Sequence, residues 1–347
     1  MRSLIASMGV RDRASCTSIR LRATICWSIE SIRKQTLIYG AAIGAVAGWT
    51  SVASAAPLTS STPESTLGLL EWVTYASLVL SPIILIALGI QGAWKLPPSP
   101  RLPAWRVPLE VGFLAFATST LLGGIGHWYF ASSTAQGGNT EEALLQTTAM
   151  ATLGGYLGAA FPLAVMGVVW TQLPRPVGGE RPLPRAGALI FGAIALVIGL
   201  PLIEAVSFLG NQFQQIIQDI EADPIAHETL EQLYSSPRDV WWWIIALGAV
   251  LATPIIEETL YRGILQQSLR RLGIGRWWAI LFTTGLFVLM HIPALNMDSM
   301  IGSISALFAA GVLFGWIREQ TGRLDAPIIA HMLFNAFNLA LAMLIAG

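Results

Sequence analysis

Residues 254–263 read PIIEETLYRG and place Glu257, Glu258 and Arg262 directly after the uncharged run WWWIIALGAVLAT at 241–253. The uncharged run has the composition of a membrane helix. Ionisable residues at membrane depth are costly, so they usually face a polar interior and mark a functional site. The stretch therefore predicts a membrane helix that carries a polar site.

The composition of the whole chain agrees with this interpretation. The chain is 54% hydrophobic and 12% charged, with a mean hydropathy of +0.62, whereas about 25% of the residues in soluble domains are charged. The formal net charge is zero, so the charge balance indicates no nucleic-acid partner. We predict an all-α polytopic membrane protein whose surroundings are the lipid bilayer.

The N-terminal extension, residues 1–56, is predicted to lie outside the membrane body. Arg33 and Lys34 precede an apolar core at 37–49, and Ala-Ser-Ala at 53–55 follows the A-x-A cleavage pattern. This order favours a signal peptide. A genuine first membrane helix is the alternative.

Eight spans are predicted in the rest of the chain. They are 67–93, 107–130, 144–172, 186–210, 240–259, 276–292, 301–318 and 326–346. Loops rich in Lys and Arg alternate with acidic or neutral loops, and basic loops remain in the cytoplasm. We therefore predict that the loops at 95–106, 174–185, 260–276 and 318–323 are cytoplasmic, with both ends of the eight-span body outside. This arrangement suits a bacterial inner membrane.

The membrane body divides into two predicted parts. Residues 57–239 form N-terminal helices together with an external amphipathic segment at 211–234, and residues 240–347 form the catalytic helices. His227, in the external segment, is expected to be solvated.

Polar side chains are concentrated in the last four spans. Glu258 and Arg262 are four residues apart, so they share a helix face and can pair. Glu257 lies about 100° further around the helix and lacks that partner. A carboxylate without a partner suits the role of a general base.

Two histidines and an asparagine complete this set. His291 ends the sixth span, whereas His331 and Asn335 share one face of the eighth. An imidazole could help the base or hold a metal, and a second imidazole with an amide can stabilise an oxyanion. Together these groups can activate water for attack on a carbonyl.

Each feature alone also has a structural explanation. Glu258 and Arg262 could form a purely structural ion pair, and a membrane histidine is often an interhelical hydrogen-bond donor. We interpret Glu110, Glu204 and His127 as interfacial or structural, because they are close to predicted span ends. The concentration of the other groups in four spans favours function.

Three motifs in this region resemble those of a known family. EETLYRG matches EExxxR, FVLMH at 287–291 matches FxxxH, and HMLFN at 331–335 matches HxxxN. In this order they are similar to the CPBP intramembrane proteases, also called the CAAX protease and bacteriocin-processing or Abi family. The resemblance covers about residues 240–346.

The resemblance implies a role for each residue. Glu257 with His291 would activate water, and His331 with Asn335 would stabilise the oxyanion. Glu258 and Arg262 resemble the supporting pair of the family.

The cofactor and the substrate are left open by the resemblance. Glu257, His291 and His331 are also candidate ligands of a divalent metal such as zinc, and a metal-free glutamate mechanism is the alternative. The implied substrate is a peptide or a membrane-associated protein. A secondary transporter and a catalytically silent scaffold or immunity protein are the other hypotheses.

The predicted spans raise one geometric difficulty. At about 1.5 Å per residue, Glu257 and His331 fall toward the cytoplasmic side and His291 toward the outer side. Bends at Pro254 and Pro293, or a fifth helix that continues to Arg271, would bring them together. We also expect the site cavity to reach the cytoplasmic side near Arg262 and Arg271.

Overall fold

A computed structural model describes residues 63–92, 95, 109–134, 141–172, 183–219 and 228–346. These residues form helices and turns, with no strand among them, so the predicted all-α architecture is confirmed. The predicted signal peptide, His227 and most of the loops at 95–106 and 174–185 lie outside the described ranges.

The described residues form nine helical segments. In chain order they are α1 (Pro63–Ile90), α2 (Leu109–Thr134), α3 (Glu141–Gln172), α4 (Arg185–Gln218), α5 (Glu228–Ser235), α6 (Val240–Arg271), α7 (Arg276–His291), α8 (Met300–Thr321) and α9 (Asp325–Ala346). Two 3₁₀ turns, Ile292–Ala294 and Met297–Ser299, connect α7 to α8.

Each of the eight predicted spans coincides with a long helix. Seven of these helices, α1, α3, α4, α6, α7, α8 and α9, are long and apolar enough to cross a membrane. Helix α2 is also long, but it is rich in glycine, serine and threonine, and it is not among those seven. By length and composition, seven spans are therefore supported where eight were predicted.

Helix α2 nevertheless packs closely against α3 within the bundle. A Cβ atom at Gly126 would collide with the backbone of Gly154, and one at Gly158 would collide with the backbone of Leu122. Small residues at such positions let membrane helices approach at backbone distance. Glycine is therefore required where the two helices cross.

Helix α6 contains two π-helical segments, Gly248–Ala252 and Thr259–Leu265, with Pro254 between them. Proline lacks the N–H that the α-helical ladder needs, and π segments often occur at functional sites. The helix continues to Arg271, which agrees with the alternative of a continuous fifth helix and not with a span that ends at 259. Gly273, with a φ of 81° in the left-handed region, then allows a tight turn into α7.

The predicted external segment at 211–234 is also different in the structure. Residues 211–218 continue α4, because Gln214 is buried and bonded to the loop before α8. Its amide donates to the carbonyl of Met297 over 2.7 Å and accepts from the N–H of Ile301 over 2.8 Å. The segment is therefore tied to the bundle for this part of its length.

Helix α5, which falls in the same predicted segment, also packs on the bundle. Leu233 is buried, and its carbonyl accepts a hydrogen bond from the indole of Trp242 over 2.7 Å. Gln232 donates to Thr148 over 3.0 Å. Helix α5 therefore covers helices α3 and α6, where the sequence predicted a helix lying on the outer surface of the membrane.

The loop charges predict an orientation that reporter fusions can check. A reporter at Ser99 is expected to be cytoplasmic, and reporters at Gly138 and after Gly347 external, because basic loops remain inside. The reporter at Gly138 tests whether α2 crosses the membrane. If Ser99 and Gly347 report the same side, the eight-span topology is wrong.

Candidate active site

The centre of the site is a buried group of three charged or ionisable side chains from two helices. Arg262 Nη1 donates to Glu258 Oε1 over 2.9 Å, and both side chains are fully buried. Nδ1 of His331 lies 2.9 Å from the same carboxylate oxygen. Glu258 therefore links α6 to α9, in addition to its pairing within α6.

The surroundings of Arg262 explain how its charge is accommodated. Its Nη2 donates to the carbonyl of Gly311 on α8 over 3.0 Å. Its guanidinium carbon lies 4.9 Å from the ring centre of Phe287 and 5.6 Å from that of Phe314, where aromatic faces attract cations. A Cβ atom at Gly311 would lie 3.3 Å from Nη2, so glycine leaves room for this contact.

Glu257 projects into a different environment. Its Oε1 lies 3.6 Å from Nε2 of His291, and its Oε2 lies 3.9 Å from Nε2 of His331. Both distances exceed those of ordinary hydrogen bonds. Oε2 is buried and has no hydrogen-bond partner among the described residues. The carboxylate thus faces two imidazoles across gaps that one water molecule can bridge.

The remaining hydrogen bonds of the two histidines indicate which ring nitrogen carries the proton. Nδ1 of His291 lies 2.7 Å from the carbonyl of Phe287, which can only accept. Nδ1 of His331 faces the carboxylate of Glu258. In each neutral ring the hydrogen is therefore on Nδ1, and the lone pair of Nε2 points toward Glu257. Any species bound between these atoms must supply hydrogens or positive charge.

The same three residues, Glu257, His291 and His331, are the candidate ligands of a zinc ion. Glutamate and histidine are suitable zinc ligands, and a hydrogen bond from the second ring nitrogen is typical of metal-binding histidine. However, the described residues contain no group of three or more His, Cys, Asp or Glu side chains arranged to hold a metal ion.

Glu257 and His291 lie at similar distances from the turn that joins α6 to α7, because α6 ends at Arg271. Glu257 lies fourteen residues before Arg271, and His291 lies fifteen residues after Arg276. Because the two helices are joined by the tight turn at Gly273, both side chains are about 21 to 22 Å from that turn at 1.5 Å per residue. The predicted depth mismatch was therefore wrong, because it placed the end of the span at 259.

His331 reaches the same height because α9 begins further into the bundle. The turn before α9 lies beside α6: a Cβ atom at Gly263 would be 3.3 Å from Leu324. His331 follows Asp325 by six residues, and Glu258 precedes Gly263 by five. Measured from the level at which Leu324 lies beside Gly263, His331 and Glu258 are therefore both about 8 to 9 Å along their helices.

The site opens into a cavity of about 440 Å³. Its wall includes Glu257, His291, His331 and Asn335, and it extends to α5 and to Leu295. Both of these belong to the side that the loop charges predict to be external. The expectation that the cavity reaches Arg262 and Arg271 was therefore wrong.

Tight packing of the C-terminal half of α6 closes the cavity on the side of Arg262 and Arg271. The residues from Leu260 to Leu269 are buried, and several of them pack with apolar residues of α2, α3 and α7.

Asn335 lies one turn beyond His331 and also lines the cavity. Its Nδ2 donates to the carbonyl of Ala249 in the first π segment over 2.8 Å. A primary amide has two hydrogens, so this contact leaves the second for another acceptor. Asn335 thus holds α9 against α6.

Three residues of the cavity wall were not predicted from the sequence. The hydroxyl groups of Tyr156 and Thr253 share a hydrogen bond of 2.7 Å. Thr253 precedes Glu257 by four residues, a spacing that could have revealed it, whereas Tyr156 belongs to α3 and has no comparable signal. Glu204, interpreted above as interfacial or structural, also lines the cavity. It is interior to α4 because that helix continues to Gln218.

The fold and the site together define a polytopic helical membrane protein with a glutamate and two histidines facing a buried cavity. Residues 239–337 match the family described as type II CAAX prenyl endopeptidase Rce1-like. The match supports an intramembrane endopeptidase of the CAAX type for this part of the chain, and the resemblance to CPBP proteases is confirmed there. The match covers less than a third of the chain. No match was found among curated proteins, and none among solved structures.

Removal of Arg262 tests the buried ion pair. Arg262→Ala leaves the Glu258 carboxylate buried without its cation, and we expect a loss of about 3–5 kcal/mol in unfolding free energy. The measurement is thermal unfolding of the purified protein in detergent.

Arg185→Ala is the matched control for Arg262→Ala. It breaks a pair with Asp325 in which Arg185 is 76% exposed, so its cost is expected to be at most about 1 kcal/mol. Equal losses in the two variants would contradict the structural importance of the buried pair.

Proposed function

We propose that this protein hydrolyses a peptide bond in a peptide or membrane-associated protein substrate, using water activated by Glu257 and His291. The observation that carries this proposal is the convergence of Glu257 with the Nε2 atoms of His291 and His331, from three helices, on one cavity. The endopeptidase domain at 239–337 supports the reaction class. The predicted cytoplasmic loops favour a bacterial inner membrane as the location.

Water activation follows from the gap between Glu257 and His291. A water molecule between Oε1 and Nε2, which are 3.6 Å apart, can donate one hydrogen to each. As the oxygen attacks the substrate carbonyl, Glu257 takes one proton. When the tetrahedral intermediate collapses, Glu257 returns that proton to the departing amine.

Oxyanion stabilisation is assigned to His331 and Asn335. His331 can donate from Nε2 only when its ring carries a second proton, and the Glu258 carboxylate 2.9 Å from Nδ1 orients the ring so that Nε2 faces the cavity. Asn335 offers the amide hydrogen that is not used by Ala249. Two such donors in a low-dielectric cavity stabilise developing negative charge more strongly than water does.

Arg262 makes this arrangement compatible with burial. Without its cation, Glu258 would be a buried charge that lacks its guanidinium partner, and Glu258 is the group that orients the ring of His331. Glu258 and Arg262 are therefore positioning residues that act through His331.

The two adjacent glutamates provide a matched test of the mechanism. Glu257→Gln removes the base but breaks no short hydrogen bond, so we expect turnover to fall by about 100-fold or more while the unfolding temperature is retained. Glu258→Gln removes the charge that Arg262 and His331 contact, so we expect lower stability as well as lower activity. The measurements are cleavage of a quenched fluorescent peptide library and thermal unfolding. Equal residual activity with equal stability would contradict the assigned roles.

The metal question has a separate test. Because the described residues contain no group of three or more His, Cys, Asp or Glu side chains arranged to hold a metal ion, we expect turnover to survive dialysis against a chelator, with less than stoichiometric metal in the purified protein. Elemental analysis and cleavage assays before and after zinc addition measure both quantities. Loss of activity on chelation and recovery with zinc would establish a metal mechanism through Glu257, His291 and His331.

A further inference from the structure

Glu204 is a second carboxylate in the wall of the cavity, outside the region that matches the endopeptidase family. It lies within α4, and Ser207, three residues later, lines the cavity with it. Glu204 has no role in the mechanism above. A membrane-embedded carboxylate is costly to retain, so its position suggests a function.

The packing of α4 against α8 shows which residues of α8 lie at the same depth in the bundle as Glu204. A Cβ atom at Gly210 would be 2.8 Å from Gly302, and one at Gly199 would be 2.6 Å from Leu313, so the two helices run antiparallel. Glu204, between these glycines, is therefore level with about residues 307–308 of α8.

The site carboxylates lie at nearly the same level. Arg262 bonds to Gly311 and Gln266 to Gly315, so α6 and α8 run parallel. Glu258 is one turn before Arg262 on α6 and is therefore level with about Leu307. Leu307 itself lines the cavity. Glu204 on α4 and Glu257 on α6 are thus at similar height on different walls of one cavity.

The described wall of the cavity contains carboxylates but no basic side chain of lysine or arginine. Glu204 has no hydrogen-bond or ion-pair partner among the described residues, and it is half-buried. The described lining contains two carboxylates, Glu204 and Glu257, two histidines, and no lysine or arginine. A carboxylate in a low-dielectric cavity gains most from a cation that enters with the ligand.

We propose that Glu204 binds a cationic group of the substrate, a lysine or arginine side chain close to the scissile bond, and so determines specificity. This inference rests on the proposed endopeptidase function, since it names the substrate feature that the same cavity selects. Glu257 is the other carboxylate of the described lining, and it faces His291 and His331, whereas Glu204 has no such imidazole neighbours.

Binding and cleavage are measured with one set of apolar peptides that differ at a single position. Fluorescently labelled dodecapeptides carry Lys, Gln or Glu at each position in turn. Binding is measured by anisotropy on detergent-solubilised Glu257→Gln protein, with and without Glu204→Gln. Cleavage of the same peptides is measured on wild-type protein and on Glu204→Gln. Glu110→Gln, which neutralises an exposed carboxylate of α2, is the matched control.

The inference predicts that Lys peptides bind about tenfold or more tightly than Gln peptides at one or more positions. In Glu204→Gln the Lys-to-Gln ratio should fall to about one, and Glu204→Lys should favour the Glu peptides. Glu110→Gln should keep the wild-type ratio. A ratio that is the same with and without Glu204→Gln overturns the inference, as does equal binding of Lys and Gln peptides.

The outcomes separate the two proposals. A Lys preference that depends on Glu204, without cleavage by wild-type protein, would contradict the endopeptidase proposal and support the cation site. Cleavage without a Lys preference would contradict the cation site and leave the endopeptidase proposal standing. If Glu204→Gln is not monodisperse in detergent, the Lys-to-Gln comparison on protein that retains Glu204 decides.

Discussion

The hydrogen-bonded pairing of Glu258 with Arg262 and His331 is the interaction on which the rest of the site depends. It places a carboxylate, a guanidinium and an imidazole in the protein interior, where each would be costly alone. Because Arg262 also bonds to Gly311, three helices are connected through one buried charge cluster. The neighbouring Glu257, about 100° around α6 from Glu258, faces the cavity instead.

The arrangement also depends on where the turns between helices are placed. The turn at Gly273 and the turn at Leu324 lie at different heights along α6, and this difference brings His291 and His331 to one level. Two imidazoles that are distant in sequence, one at a helix end and one in the first turns of another helix, thereby face one carboxylate. A shift of either turn by one helical residue moves its histidine by about 1.5 Å, which is enough to lengthen a catalytic contact.

The sequence predicted the helical class and the positions of the long helices, and it singled out six motif residues that lie at or beside one cavity in the structure. These follow from apolar run length and from i, i+4 spacing, which are local properties. It offered two ends for α6, 259 and Arg271, and it did not predict the continuation of α4 to Gln218 or the presence of Tyr156 and Glu204 in the cavity. Those depend on contacts between helices, such as that of Gln214 with Met297, and no spacing rule within one helix contains such contacts. The depth argument failed for the same reason, because an apolar run ended before its helix did.

The size of the cavity limits the shape that any peptide can have at the site. In an α-helix the side chains form a shell about 10–12 Å wide around the backbone, and Glu257 lies in the wall of a cavity of about 440 Å³. A transmembrane segment therefore has to unwind before its backbone can approach Glu257, and its freed N–H and C=O groups need partners in the cavity wall. The hydroxyl and amide groups of Thr253, Asn335 and Asn338 are available in that wall. The ease with which a segment loses its helix would then select among substrates before any side chain is recognised.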